Sequence, residues 1–251
     1  DARSPASLAT SHPQPTDMRT SIAACLCLSS FLCAQEATPA KPTGSFGIDF
    51  TNQYFFRGIF QENQGFIAQP HVELGWGLYE GTENLKSLSL ALGSWNSLHE
   101  GPSGSAGGTS MWYESDFYTT LAGTFGERWR GGATYTSYYS PNGRFGTVQE
   151  IAFSAGYDDK GLVGDSIASG LQPSAVIAFE LDGQADAGTQ RGIYGQVGIN
   201  PSFGVGQLGS LDVTLSVPVT LGFSLGHYYE DPTNGGSDDA FGFLDIGVVA
   251  S

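Results

Sequence analysis

Apolar and polar residues alternate with a period of two through most of the chain. Phe46, Ile48 and Phe50 share one parity, with Asp49, Thr51 and Gln53 on the other. Phe66, Ala68, Val72, Leu74, Trp76 and Leu78 alternate with Gln69, His71 and Glu73. Leu88, Leu90 and Leu92 follow, and then Tyr113, Phe117, Leu121 and Phe125 against Glu114, Asp116, Tyr118 and Thr120. The second half repeats the pattern around Ala133–Tyr139, Ile151–Tyr157, Leu171–Leu181 and Ile193–Ile199. The clearest run is Leu211, Val213, Leu215, Val217, Val219, Leu221 and Phe223, and Leu244, Ile246 and Val248 come last. Clusters of Gly, Asn, Asp and Pro separate these runs, so the period predicts ten β-strands. Read as one strand, 211–223 exceeds the five or six residues usual in globular sheets. It is long enough to cross a bilayer at a tilt, for which about 9–11 residues suffice.

Aromatic residues gather near the strand ends: Tyr54, Phe55 and Phe56, Trp76 and Tyr79, Trp95, Trp112 and Tyr113, Trp129, Tyr138 and Tyr139, and Tyr157. Such girdles mark the membrane–water interfaces of outer-membrane barrels. The expected fold is therefore an all-β, antiparallel up-and-down transmembrane β-barrel of about ten strands, spanning 44–251. A soluble all-β protein with aromatics in its core is the competing reading.

The front of the chain reads differently. Residues 1–17 are polar and Pro-rich, and the first methionine is Met18, followed by Arg19 and the apolar run 21–34. A short positive start and an apolar centre of about a dozen residues read as a secretory signal peptide over 18–34. Cleavage is expected after Ala34 or near Ala37, with 1–17 an upstream segment and 35–43 a short periplasmic lead. Cys25, Cys27 and Cys33 all fall within the leader, so the mature chain is expected to carry no disulfide and no cysteine-bound metal.

Composition sharpens this picture. Lys and Arg total 10 against 25 Asp and Glu, for a formal net charge of −15. That balance makes nucleic acid an unsuitable partner. With 36 Gly and 16 Phe, the 14% charged fraction is well below the roughly 25% of soluble domains.

If the apolar parity faces lipid, the other parity lines a lumen. Its ionisable residues are Asp49, Glu73, Glu114, Asp116, Glu150, Glu180, Asp212 and Asp245, against Arg57, Arg130 and His71. An excess of carboxylates favours cations over anions. Pairing of the same acids with Arg57 and Arg130 would instead give a plugged core, and Tyr118, Tyr138 and Tyr194 share the inward parity. Connections after odd-numbered strands, including His99 to Ser110 and Gly226 to Asp239, are expected to face outside.

Thr51–Ile59, with its Tyr54-Phe55-Phe56-Arg57-Gly58 core, followed by Gln61, Ala68-Gln69-Pro70 and Leu92-Gly93-Ser94-Trp95-Asn96, resembles the TorF-type porin family, bacterial outer-membrane proteins of unknown function of the Gcw_chp type. The resemblance rests on Tyr54, Phe56, Arg57 and Gly58 and is diffuse after about residue 98. It implies an exported barrel with a transport role. Barrels of this kind close on an apolar strand ending in an aromatic, whereas this chain stops at Val249-Ala250-Ser251. A complete chain is thus expected to add one or two strands, for up to twelve.

The functional expectation is an outer-membrane porin passing small solutes with a preference for cations, with membrane lipid as its surroundings. The alternative is a non-conducting structural or adhesive barrel. An outer-membrane hydrolase would need a base held against a nucleophile. His71, His99 and His227, with Ser224 and Asp231 near the last, are its candidates, yet no motif links them. No catalytic residue, cofactor or metal is expected. Gly204–Gly209 matches a dinucleotide-binding glycine pattern, but a strand follows it and not the required helix. The acidic loop carrying Glu230, Asp231, Asp238 and Asp239 lacks the alternating ligand spacing of a calcium loop.

Overall fold

The computed structural model describes residues 42–105, 111–164, 167, 169–231 and 236–251. The leader, its cleavage site and the upstream segment lie outside these residues. In chain order the elements are β1 (Thr43–Thr51), β2 (Tyr54–Phe56), β3 (Ile59–Glu62), β4 (Ile67–Glu80), β5 (Leu85–His99), α1 (Pro102–Ser105), β6 (Trp112–Phe125), β7 (Trp129–Tyr139) and β8 (Val148–Tyr157). They continue with β9 (Ser174–Asp182), β10 (Ile193–Ile199), β11 (Ser202–Leu208), β12 (Leu211–Ser216), β13 (Val219–Gly226), β14 (Glu230–Asp231), β15 (Ser237–Asp238), β16 (Phe241–Ile246) and β17 (Val249–Ala250).

Ten strands form one antiparallel sheet in the order β1-β4-β5-β6-β7-β8-β9-β10-β13-β16. With the short β2–β3, β11–β12 and β14–β15 hairpins set aside, this is a simple meander. The sheet ends at β1 and β16, and among the described residues no ladder joins these two edges. All-β architecture and a large antiparallel sheet are thus present, and among the described residues the sheet does not close into a barrel.

The faces of the sheet invert the usual rule for a soluble domain. The apolar parity is exposed: Val72, Leu74, Phe117 (57% exposed), Leu121, Phe153, Val197 and Leu244 all lie open. The buried set is rich in carboxylates, with Glu114, Asp116, Glu150 and Glu180 each at most 9% exposed. Among the described residues the buried hydrophobics are the aliphatic Ile67, Val148 and Ala178 and the aromatic Tyr113, Tyr194 and Tyr228.

The polar face curls around the β2–β3 hairpin. Flat, the sheet from β5 to β16 would be about 34 Å wide at ~4.8 Å per strand, while each hairpin arm is only about 13 Å long. Yet this one hairpin touches both limits. Tyr54 packs on Trp95 of β5 at 5.6 Å, and a Cβ at Gly58 would sit 2.7 Å from the Cβ of Phe243 on β16. Only a strongly curved sheet brings both within reach.

The 211–223 run is not one strand. It breaks at Val217-Pro218, in step with breaks at Asn200-Pro201 and Gly247-Val248 in its neighbours. Beyond them β11, β12 and β17 form a separate three-stranded sheet. Pro201 and Pro218 have no N–H to offer the ladder. Single bonds from Val217 N–H to the Pro201 carbonyl (3.0 Å) and from Gly247 N–H to the Pro218 carbonyl (2.9 Å) carry the chains across the break.

Candidate functional site: the polar face of the sheet

Registers across the ladders arrange the polar parity in rows whose side chains shrink from one end of the sheet to the other. Near the loops that follow β1, β5, β7, β9 and β13 lie Trp95, Asp116 and Tyr138 in one row. Tyr118, Thr136, Glu150 and Glu180 form the next. At the opposite end the rows read Ser89, Ala122, Gly132 and Ser154, then Ser87, Thr124, Arg130, Gly156 and Ser174.

The hairpin sits on the large end. Its turn is Arg57-Gly58, with φ of 48° and 79°, the positive pair of a two-residue I′ hairpin turn. This turn carries the Arg57 side chain to Glu150: Nη1 donates to Oε2 at 2.6 Å and Nη2 to Oε1 at 2.7 Å, a bidentate pair whose side chains are 15% and 3% exposed. Nη1 also donates to the Tyr228 hydroxyl at 2.8 Å, and the guanidinium lies 4.2 Å from the ring centre of Tyr194. The Tyr229 hydroxyl donates to the Arg57 carbonyl, and Phe56 meets Tyr138 edge-on at 5.2 Å. Arg57 is therefore a tie across the interior that also borders the cleft between the hairpin and β16.

A bulge in β6 opposite Ser97 and Leu98 turns Tyr113 inward beside Glu114. Tyr54, Glu114 and Asp116 interact electrostatically with one another there, and Asp116 Oδ1 is buried without a partner among the described residues. A cavity of about 60 Å³ lies alongside, lined by Phe56, Gln61, Glu114 and Tyr138. Tyr54, Phe56, Trp95, Tyr113 and Tyr138 thus serve the interior, contrary to the girdle expected from sequence. Trp112, Trp129 and Tyr139 do lie exposed.

His99 is held in a closed chain. Ser97 Oγ lies 2.7 Å from Nε2, Ser103 Oγ lies 2.6 Å from Nδ1, and the Ser103 hydroxyl and N–H both donate to Glu62 Oε2 at 2.7 Å. Ser97 and His99 are wholly buried, and Tyr113 stacks on the imidazole at 4.3 Å. Burial alone would raise the Glu62 carboxyl. The bonds from Ser103 and from the Gln64 and Asn63 amides outweigh it and hold Glu62 below the usual carboxylate range. Arg144 closes the same corner, donating to the Ser103 and Pro102 carbonyls at 2.9 and 2.7 Å.

A second staple joins the loops after β9 and β13. Glu230 accepts from the Thr189 N–H and hydroxyl and from the Gln190 N–H, and lies 3.2 Å from His227 Nδ1. The Thr189 amide is the largest cause that brings its carboxyl down to about 2, against a smaller opposing effect of burial. Asp186 completes the staple by accepting from the Glu230 N–H. Asp231 and Asp238 sit in the same loop, and among the described residues no group of three or more acidic, His or Cys side chains is arranged to hold a metal.

The remaining expected lining residues are scattered. Glu73 accepts from the Tyr118 hydroxyl at 3.0 Å, and Glu180 from the Ala185 and Gly192 amides at 2.6 Å. Asp49, 70% exposed on edge strand β1, lies 3.7 Å from His71. Asp245 forms part of a cleft of about 570 Å³ between β16 and the hairpin, with Phe55, Gly58, Gln196 and Thr220. Asp212 lies on β12 beyond the break, bonded to Gln207, and is no part of the polar face of the ten-stranded sheet. Arg130 stands at the small end, donating to Gln172 Oε1 at 2.9 Å. Sequence reasoning passed over Glu62, Ser103, Arg144, Thr189 and Tyr228. The Tyr228-Tyr229 doublet was a visible signal, but the others carry none.

No protein-family model matches the chain, and neither a curated protein nor a solved structure is significantly similar to it.

Proposed function

We propose that the chain is a bacterial outer-membrane β-barrel protein whose acid-lined interior passes small cations only when the β2–β3 hairpin is withdrawn. The observation that carries this reading is the inverted sheet: an exposed apolar face over a buried, carboxylate-rich one. That distribution fits hydrocarbon outside and polar groups within. Trp129 and Tyr139 bracket β7 on the exposed face. Ten residues at ~3.3 Å, tilted by ~40°, give a band of about 25 Å, the height of the apolar belt of such barrels. Lipid tolerates no open edge, so the reading requires β1 and β16 to pair, with each other or with further strands between them. The segment resembling TorF-type porins, Thr51–Ile59, is the one that enters the interior as the plug.

Reconstitution in a planar bilayer tests this. The intact chain should insert and stay nearly silent. Replacing 54–62 by a Gly-Ser linker should open currents whose reversal potential under a KCl gradient reports cation preference. Anion preference, or a processed chain soluble and folded without detergent, would refute the reading. Insertion with silence in both forms would favour the non-conducting structural or adhesive barrel.

A further inference from the structure

The small end of the polar face is a cavity of about 390 Å³, within the range of small-molecule sites. Among its lining residues Arg130 is the one charged side chain, in a molecule of net charge −15. The register explains the space. The ladder partner of Arg130 on β8 is Gly156, and the next inward position on its own strand is Gly132, so two places beside the guanidinium carry no side chain. A Cβ at Gly156 would meet only the Pro173 carbonyl at 3.8 Å. Hydroxyls ring this gap: Thr124 is the partner of Arg130 on β6, Ser87 is the partner of Thr124, and Ser174 is that of Gly156. Among the described residues the hydroxyls of Ser87, Thr124, Ser154 and Ser174 have no hydrogen-bond partner, and Arg130 spends one donor on Gln172. Asp158, a carboxylate that feels the Arg130 charge, is occupied by Gln172 Nε2 and the Lys160 N–H at 3.0 Å each.

We propose that this vestibule is a binding site for a small hydroxylated anion, of the sugar-acid or sugar-phosphate class. Arg130 takes the carboxylate or phosphate, the serine and threonine hydroxyls take the ligand's own hydroxyls, and Gly156 leaves room for its carbon skeleton. Guanidinium–oxyanion bonds are charge-assisted and set orientation, while neutral hydroxyl pairs set fit. The site does not depend on the apolar face meeting lipid.

Titration calorimetry on the detergent-folded full chain tests it, with gluconate and glucose 6-phosphate as probes and glucose as the neutral control. Both anions should bind saturably, and glucose at least tenfold more weakly. Arg130→Gln should weaken the anions at least tenfold and bring them level with glucose. Gly156→Leu, which fills the gap, should abolish binding, with strand content by circular dichroism unchanged in both variants. No saturable heat with either anion, glucose binding as tight as gluconate, or affinity unchanged in folded Arg130→Gln would each overturn the proposal. Bilayer currents do not enter the readout, so a failure here is separate from a failure of the membrane reading.

Discussion

The two ends of one curved face solve the problem of a polar interior in opposite ways. At the loop end the large groups are mostly spent on other parts of the chain, the Asp116 Oδ1 being the exception. Arg57 holds Glu150 and Tyr228, Glu62 holds Ser103, and Glu180 holds two backbone amides. At the other end the side chains are short, several hydroxyls are unengaged, and one arginine faces about 390 Å³ of open space. The strands and their registers run continuously through both. The difference teaches that side-chain size along each row, and not strand number alone, decides whether such an interior is filled or open.

The largest expected effect comes from removing one member of the buried ion pair. Glu150→Ala strands a guanidinium that is only 15% exposed, and such losses cost about 3–5 kcal/mol. Arg57→Ala strands Glu150 in the same way. The double variant should cost less than the sum of the singles, because each single already leaves an unpaired charge. At the open end Arg130→Ala should shift stability by no more than about 0.5 kcal/mol, as exposed substitutions do. Urea midpoints of refolded protein measure all four. An Arg130→Ala loss as large as that of Glu150→Ala would erase the contrast between the ends.

A pair of glycines sharpens the comparison through the sign of the change. At the filled end a Cβ on Gly93 would run into the ring of Tyr118, which lies over that glycine and donates to Glu73. Gly93→Ala should therefore destabilise by about 1–3 kcal/mol, the usual cost of overpacking. Gly156→Ala has ordinary van der Waals room. It should be neutral or stabilising by up to about 1 kcal/mol, since glycine within a strand loses more backbone freedom on folding. Thermal melts of the two variants side by side decide it. Destabilisation of both by the same amount would mean the open end is packed after all.

Much of this architecture is written in the alternation. Nine of the ten expected runs fall on single strands of the large sheet, the 211–223 run is divided between β12 of the three-stranded sheet and β13 of the large one, and the apolar parity does turn away from the carboxylates. What alternation does not carry is any event that departs from period two. The β2–β3 hairpin is only seven ladder residues around a turn, and its aromatics look like girdle residues because nothing local says that the chain folds inward. The bulge that brings Tyr113 to the side of Glu114 breaks parity at one residue, so Tyr113 reads as lipid-facing. Pro201 and Pro218 were legible breaks, since a proline inside a run argues against a continuous strand. The Arg57–Glu150 pair spans 93 positions and becomes visible only when the sheet has curved. The gradient from Tyr and Glu to Ser and Gly was present in the sequence too, but rows appear only after the registers are known.

The smallest expected effect concerns the loops that close the filled end, and it depends on pH. Glu230 ties the loop after β9 to the loop after β13, and the amide bonds it accepts favour its charged form. Its folded-state value is depressed from 4.5 to about 2. The tie is therefore at full strength above about pH 4.5 and fades as the pH falls toward 2, where the protonated carboxyl loses its preference for these donors. Amide hydrogen exchange at Thr189 and Gln190, corrected for the intrinsic pH dependence, should show protection declining across that window while the sheet amides stay protected. Glu230→Gln should start from weaker protection and remove the decline, because an amide oxygen accepts the same bonds without a charge to lose. If the wild-type loops keep full protection at pH 2, the staple is held by packing rather than by the carboxylate. The contrast between the ends would then rest on side-chain volume alone, with charge as a passenger.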